Sequence, residues 1–228
     1  MNFNLTEDQA MIHDSIARYV ADHYDLDKRN AVVAMEHGFS PDHWQQYAEL
    51  GWLSIPFAEE QGGFGGGPVD TMVVMQEFGR GLVAEPFLPT VLLFGGLLQA
   101  GASAEIQGQL IPQIIAGELQ GAFAYLERQS RYEISDICCS ATPQDGSWVI
   151  SGEKTVVLNG GAAEKIIVAA RTSGDQFDTV GHQPVPGGCQ WSWYRAQLLP
   201  DDRWTRGGQY PVFRCSRRGG DWRDRSRS

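Results

Sequence analysis

The sequence predicts an α+β protein, with an all-helical N-terminal domain at about 1–120 and a partial antiparallel β-domain at about 121–178. In the first half, apolar residues recur at the spacing of one helix face. In the second half, short runs rich in aromatic and β-branched residues alternate with turn signals. A helical half followed by a strand half favours α+β architecture over an alternating βαβ fold.

Local signals place each predicted helix. Thr6 and Gln9 form a capping-box pattern at the start of a helix over 6–24. Ser40 is the N-cap of a second helix, which ends at Gly51. Further predicted helices open at Pro68, cover the apolar segment 88–100, and follow Ser103 as far as about Gly117.

Three short segments predict strands: Ala122–Leu126, Trp148–Ser151 and Lys165–Arg171. Polar and glycine-containing turn signals at 144–147 and 159–161 separate them.

Composition restricts the class of partner. The net charge of −10 argues against binding to nucleic acid or to an anionic membrane, because both need clustered cations. The most apolar stretch, 91–98, is too short to span a bilayer, and we expect a cytoplasmic protein. The four cysteines and five histidines show neither a disulfide framework nor metal-ligand spacing, so no metal is expected.

Residue types alone do not indicate a reaction. The glycine-rich run 62–67 fits a phosphate loop or a flexible interhelical turn, and the turn is favoured because no Lys-Ser/Thr follows. The spacing of five candidate carboxylates gives no reason to pair any two, and solvated helix faces are expected; they are Asp70, Glu77, Glu85, Glu118 and Glu127. No serine lies in a nucleophile-elbow pattern.

Four segments, in order, resemble signatures of the acyl-CoA dehydrogenase family. They are Phe3-Asn4-Leu5-Thr6-Glu7-Asp8-Gln9, the proline, acidic and double-glycine stretch 53–65, Ile111-Pro112-Gln113-Ile114-Ile115-Ala116-Gly117-Glu118, and Gly152-Glu153-Lys154-Thr155-Val156-Val157-Leu158-Asn159-Gly160. The resemblance implies a helical domain, a β-domain and a C-terminal helical bundle, with FAD between the last two. It also implies α,β-desaturation of an acyl-CoA thioester, with a glutamate of the bundle as base. The bundle is expected to be absent from this chain, so no catalytic residue is assigned.

The resemblance also assigns site residues, with departures. Where the family has Thr-Glu-Pro and then Gly-Ser-Asp, this chain has Tyr125 to Arg128 and reaches Ser135 and Asp136 only after a longer loop. Flavin contacts are thereby assigned to Tyr125, Glu127, Val156, Leu158 and Asn159, and substrate contacts to Arg131 and Ser135. Arg131 and Tyr132 have two interpretations, an exposed loop pair or a contact to a nucleotide phosphate or acyl carboxylate. Val156 and Leu158 replace an aromatic residue and a threonine, so this chain is expected to bind FAD weakly or not at all.

The overall expectation is a fragment of a FAD-dependent acyl-CoA dehydrogenase of fatty acid metabolism, inactive as the chain stands. The long loop is similar to that of the small subunits of pimeloyl-CoA dehydrogenases. At family level the partners are acyl-CoA, an electron acceptor and further subunits in a homo- or hetero-oligomer. The alternative from another class is a non-catalytic partner subunit or pseudoenzyme remnant without turnover.

The last fifty residues differ in composition from the rest. Through Asp178 there are 9 basic and 24 acidic residues, whereas 179–228 hold 9 basic and 4 acidic ones, without Lys, Glu, Ile, Met or Asn. A frameshift explains this arginine- and tryptophan-rich tail, and we expect it to be non-native and disordered. The other interpretation is a genuine tail that binds an acidic partner.

The frameshift makes a prediction about the gene. Read one base later, each TGG codon becomes a glycine codon, so Trp191, Trp193, Trp204 and Trp222 must all change to glycine. The shifted frame should stay open and encode helices with apolar periodicity, including a glutamate able to act as base. Sequencing the locus checks this. A shifted frame that closes within a few codons would show that the tail is genuine.

Overall fold

The computed structural model describes residues 4–144, 147–178, 193–194 and 213–215. These residues divide into two compact units. The helical unit contains 4–123, 158–167 and 193–194, and the sheet unit contains 124–144, 147–157, 168–178 and 213–215.

Six α-helices and one π-helix are present in the described part. They are α1 Glu7–His23, α2 Leu26–Val33, α3 Pro41–Glu49, α4 Pro68–Arg80, the π-helix Phe87–Gly95, α5 Gly96–Gly101 and α6 Ala104–Ile115. Short 3₁₀ turns cover Trp52–Ser54 and Glu59–Gln61. No described helix combines the length and the apolar character that crossing a membrane requires.

The predicted helix starts are confirmed by their hydrogen bonds. Thr6 Oγ1 accepts from Gln9 N at 3.2 Å while Gln9 Oε1 accepts from Thr6 N at 3.1 Å, which is a complete capping box. Ser40 and Ser103 accept from the third residue of α3 and α6 in the same way. Helix α2 was not predicted, because its charged sequence buries only Val32.

The predicted apolar helix over 88–100 is confirmed, with an unexpected geometry. It runs from Phe87 to Gly101 and begins as a nine-residue π-helix. π-helices are rare and occur frequently at functional sites. Its buried side includes Phe87, Thr90 and Phe94.

A buried polar cluster lies within the helical unit. The Glu85 carboxylate accepts hydrogen bonds from the Tyr24 hydroxyl, from the Tyr47 hydroxyl at 3.3 Å and from Ser40 N at 3.3 Å. His43 Nδ1 lies 3.4 Å from Glu85 Oε1. Burial raises the pKa of Glu85 to about 7 and lowers the pKa of His43, so both groups favour their neutral forms.

The glycine-rich loop is a closed turn. The N–H groups of residues 62–66 donate to carbonyls of residues 54–59, and Gly67 N donates to Asp70 Oδ2 at 2.7 Å. None of these six donors is left for a phosphate, which supports the interhelical turn over the phosphate loop. Gly63 is required by packing, because a Cβ there would lie 2.0 Å from the carbonyl oxygen of Phe57.

The strands of the described residues form two three-stranded sheets. Their bounds are β1 Gly121–Ala124, β2 Ser140–Gln144, β3 Ser147–Lys154, β4 Lys165–Val168, β5 Trp193–Tyr194 and β6 Phe213–Cys215. The sheet orders are β1-β4-β5 and β2-β3-β6. β2 and β3 pair antiparallel on either side of the predicted turn, with Gln144 opposite Ser147. The predicted strand over 165–171 ends earlier, at Val168.

Two of these strands lie within the tail predicted to be disordered. β5 pairs antiparallel with β4, and β6 pairs antiparallel with β3. The remainder of 179–228 lies outside the described residues.

Replacing Gly63 tests the packing of the loop. Gly63→Ala should lower the free energy of unfolding by about 1–3 kcal/mol, because the new Cβ forces the loop away from Phe57. Gly79→Ala is the matched control, since no atom lies within 4 Å of its added Cβ and Gly79 is inside α4. Urea unfolding measures both. Equal stability of the two variants would contradict the packing role of Gly63.

Candidate functional site

The loop between β1 and β2 is built around a buried ion pair. Lys154, at the end of β3, places its Nζ 2.7 Å from Glu127 Oε1, and both side chains are at most 3% exposed. Lys154 Nζ also donates to the carbonyl of Tyr125 at 3.2 Å. Two opposite charges can stay buried because each is paired and hydrogen-bonded.

The Glu127 carboxylate receives three further donors. They are Gln129 Nε2 at 2.8 Å, Cys138 N at 2.8 Å and Cys139 N at 3.1 Å. Burial alone would raise the pKa of Glu127, but the hydrogen bonds from Lys154, Gln129 and Cys139 outweigh it and lower the pKa to about 2. Glu127 is therefore an ionised anchor to which both ends of the 127–139 loop are tied.

Arg171 binds the C-terminal part of this loop through backbone carbonyls. Its guanidinium donates to the carbonyls of Ser135 and Ile137 in the loop, at 3.2 and 3.3 Å, and to those of Gln176 and Asp178. The planar guanidinium carries five N–H donors in a fixed arrangement, so one arginine can bind several backbone carbonyls at once. The sequence motif gave no reason to select Arg171.

The two predicted substrate contacts, Arg131 and Ser135, lie in this loop, and no hydrogen bond between them is found among the described residues. Arg131 is exposed, has a φ of 45° and makes no hydrogen bond or ion pair that the described residues show. Tyr132 beside it is fully exposed. The Ser135 hydroxyl donates to Glu133 Oε1 at 2.5 Å. Substrate contact by Arg131 and Ser135 stays a prediction.

Two predicted flavin contacts of the sheet unit are partly accessible. Tyr125 is 42% exposed and Val156 is 37% exposed. Val156 has a φ of 53°, which is a genuine outlier for a β-branched residue. Such strain costs on the order of 1–3 kcal/mol and concentrates at functional sites. The N–H groups of Val156 and Val157 find no acceptor among the described residues.

Of the other three predicted flavin contacts, Glu127 is buried in its pair with Lys154, and Leu158 and Asn159 belong to the helical unit. Asn159 has a φ of 58°, and its side-chain amide donates to Thr90 Oγ1 at 3.2 Å and to Gln120 Oε1 at 3.1 Å. Its carbonyl accepts from Ala162 N and Ala163 N. The N–H groups of 158–161 have no acceptor in the part of the chain that the structure describes, so they are suited to a ligand with acceptor atoms.

The remaining candidates for chemistry have structural partners. Glu77 pairs with Arg80 at 3.1 Å, and Asp70 caps the N-terminus of α4. Cys138 and Cys139 are free thiols whose pKa values are raised, to about 12 for the buried Cys139, so neither is a poised thiolate. Within the described ranges no group of His, Cys, Asp or Glu side chains could hold a metal ion.

Sequence reasoning missed three residues that hold these segments: Lys154, Arg171 and Thr90. Lys154 lies in the segment 152–160 that resembles the family, three positions after the predicted strand Trp148–Ser151, and no local pattern there indicates a buried lysine. The contacts of Arg171 and Thr90 join residues that are distant in sequence, and no local pattern indicates them.

Comparison with known proteins identifies the family. Residues 6–118 match the model of the acyl-CoA dehydrogenase N-terminal domain. Over this region the chain belongs to the acyl-CoA dehydrogenase family.

Curated relatives extend the similarity beyond that domain. Benzylmalonyl-CoA dehydrogenase of Aromatoleum aromaticum is 27% identical over 82% of this chain and 50% of its own length. L-prolyl-[peptidyl-carrier protein] dehydrogenase of Serratia sp. is 25% identical over 77% of this chain and 46% of its own length. The chain thus spans about half the length of the curated relatives it matches.

Solved structures support the fold. The ChsE4-ChsE5 complex from Mycobacterium tuberculosis aligns with a TM-score of 0.69 at 23% identity, over 76% of this chain and 46% of that chain. The FAD complex of PigA aligns with a TM-score of 0.67 at 24% identity, over 77% and 46%. The helical region followed by small sheets is therefore a fragment of the acyl-CoA dehydrogenase fold.

Breaking the buried pair tests its role. Lys154→Met should destabilise the sheet unit by about 3–5 kcal/mol, because Glu127 is left as a buried charge without its cation. Arg128→Met is the matched control, since its pair with Glu153 at 3.3 Å has an Arg128 side chain 74% exposed, and it should cost about 1 kcal/mol or less. Urea unfolding compares the two.

The same pair predicts a dependence on pH. Because the folded-state pKa of Glu127 is lowered to about 2, its contribution is present above pH 4.5 and is lost as the pH falls towards 2. Glu127→Gln should be less stable at pH 7 and should lose less stability on acidification. An acid dependence as steep as that of the parent chain would contradict this assignment.

Proposed function

We propose that the chain is part of a FAD-dependent acyl-CoA dehydrogenase that desaturates an acyl-CoA thioester between its α and β carbons. The family match over 6–118 carries this proposal. Several curated relatives are named as acyl-CoA dehydrogenases, including the FadE29 protein of Mycobacterium tuberculosis at 26% identity. We further propose a helical domain at about 1–120, a partial β-domain at 121–178 and a frameshifted, non-native tail at 179–228.

The backbone of the candidate flavin segment fits FAD better than its side chains do. The N–H groups of 158–161 in the helical unit, and of Val156 and Val157 in the sheet unit, are without acceptors among the described residues. Carbonyl and nitrogen acceptors of an isoalloxazine ring suit such donors. Val156 and Leu158 offer neither a stacking ring nor a hydroxyl donor, so each removes a contact.

Each part of the chain has a distinct task under this proposal. Bound FAD would supply the chemistry that accepts a hydride from the substrate β-carbon. The 158–161 turn of the helical unit would hold the ring by its N–H groups. In the sheet unit, Tyr125 and Val156 would offer accessible surface to the cofactor. The Glu127 to Lys154 pair would keep the 127–139 loop, with Arg131 and Ser135, in one conformation for the substrate. No described residue is assigned as the base.

A second candidate is a non-catalytic subunit within the same family. The replacement of both flavin-facing side chains at Val156 and Leu158 favours it, because a subunit without turnover has no need of them. The ChsE4-ChsE5 structure is named as a complex, and we propose a homo- or hetero-oligomeric partner here as well.

Flavin titration tests the function. The parent chain should lose FAD on gel filtration. Val156→Trp combined with Leu158→Thr should raise the FAD affinity about tenfold, because a ring contact and a hydroxyl hydrogen bond are each worth on the order of 1 kcal/mol. Flavin fluorescence and the absorbance spectrum measure binding.

Val69→Trp is the control for an added exposed tryptophan, since Val69 is 48% exposed on α4. It should leave FAD affinity unchanged. If neither the parent chain nor the double variant binds FAD, the non-catalytic candidate is favoured. Tight retention of FAD by the parent chain would contradict the expected weak binding.

A further inference from the structure

Thr90 lies at a junction between three parts of the helical unit. It is fully buried in the π-helix, and its hydroxyl lies 3.0 Å from the carbonyl oxygen of Gly121 and 3.3 Å from Gly121 N at the start of β1. The same hydroxyl lies 3.1 Å from Gln120 Oε1 and accepts from Asn159 Nδ2 at 3.2 Å. One side chain therefore joins a helix, a strand and the turn that follows Leu158.

The hydrogen-bond inventory leaves little freedom at this junction. A threonine hydroxyl has one donor and two acceptor positions, and the acceptor positions suit Gly121 N and Asn159 Nδ2. The Asn159 amide has a second contact, to Gln120 Oε1 at 3.1 Å. Removing the hydroxyl leaves buried donors without their acceptor, and each such donor then carries the full free-energy cost of its desolvation.

The packing around the junction is also tight. A Cβ on Gly121 would lie 2.2 Å from the Phe94 ring, so the π-helix and the start of β1 are in direct contact. Thr90 supplies the polar side chain in this otherwise apolar contact. Because the Asn159 side chain donates to Thr90, its position depends on the position of the π-helix.

Asn159 in turn fixes the conformation of its own turn. It holds a φ of 58°, in the left-handed region that Asn tolerates. Its carbonyl accepts from Ala162 N at 3.1 Å and Ala163 N at 3.0 Å, which closes the turn. The amide side chain is used for anchoring, and the N–H groups of 158–161 are left facing no acceptor among the described residues.

We propose that Thr90 and Gln120 are positioning residues that act through Asn159 to hold the 158–161 turn with its N–H groups available for a ligand. The side chain of Asn159 anchors the turn, and only its backbone faces the ligand. The inference rests on the proposed function, in which that ligand is the flavin ring. It also makes the π-helix and the turn one coupled element, so a change in the helix alters the ligand site.

Amide exchange of the full chain without flavin is the direct test. Thr90→Val keeps the shape of the side chain and removes the hydroxyl, so the amides of Ala162 and Ala163, which donate to the Asn159 carbonyl, should exchange about tenfold faster. Thr90→Ser keeps the hydroxyl and should exchange like the parent chain. Amides of 138–139 in the sheet unit are the internal control and should be unchanged in both variants.

A double-variant cycle separates coupling from general damage. Asn159→Gly keeps the left-handed backbone and removes the anchoring amide. Thr90→Val combined with Asn159→Gly should accelerate exchange by less than the two single effects combined, because both variants remove the Thr90 to Asn159 contact. Additive effects would overturn the proposal, as would equal exchange in Thr90→Val and Thr90→Ser, or acceleration spread evenly over the helical unit.

Flavin binding distinguishes failure of this inference from failure of the proposed function. In the Val156→Trp and Leu158→Thr background, Thr90→Val should weaken FAD binding about tenfold and Thr90→Ser should not. Unchanged FAD affinity in Thr90→Val would overturn the positioning role. If no variant binds FAD while exchange at Ala162 and Ala163 still depends on the Thr90 hydroxyl, the positioning stands and the flavin function fails.

Discussion

The sheet unit depends on one buried pair of charges. Glu127 and Lys154 are 27 positions apart in sequence, yet their contact decides where the loop after β1 begins and where β3 ends. The ionised carboxylate also accepts hydrogen bonds from Cys138 N and Cys139 N, so a buried charge, and not an apolar cluster, holds the two ends of the loop together. An isolated charge could not remain there, because burial without a partner costs several kcal/mol. The pair therefore fixes the length and path of the loop.

Much of the helical unit was predictable because its helices begin at short local motifs. The contacts of the candidate site were not predictable because they join residues that are distant in sequence. The capping box at Thr6 and the proline start of α4 are signals within four residues, and the structure contains both. The Glu127 to Lys154 contact and the Thr90 to Asn159 contact span 27 and 69 positions. Hydrophobic periodicity carries no information about such polar contacts. The family resemblance selected Glu127 and Asn159, but not the partners that hold them.

The departures from the family pattern lie on a backbone whose conformation is unusual. Val156 adopts a left-handed conformation that a β-branched residue rarely tolerates. A chain that had only to connect two strands would relax such a residue into an extended path. The strain is retained beside N–H donors for which the described part of the chain offers no acceptor, and stored strain of this kind is associated with ligand sites. The strained backbone at Val156 favours a ligand site in this segment, whereas the departures of its side chains from the family pattern favour weak flavin binding.

Two of the buried carboxyl groups, Glu85 and Glu127, give the two units opposite responses to acid. Glu85 has a folded-state pKa raised to about 7, so its contribution is fully present below pH 4.5 and is lost as the pH rises through 7. The lowered pKa of His43 offsets part of this gain below pH 6.5. Glu127 behaves in the reverse sense, because its pKa of about 2 makes acid unfavourable. Mild acidification consequently shifts the relative stability of the two units, and in strong acid the sheet unit loses its ionised anchor while Glu85 of the helical unit stays in its neutral form.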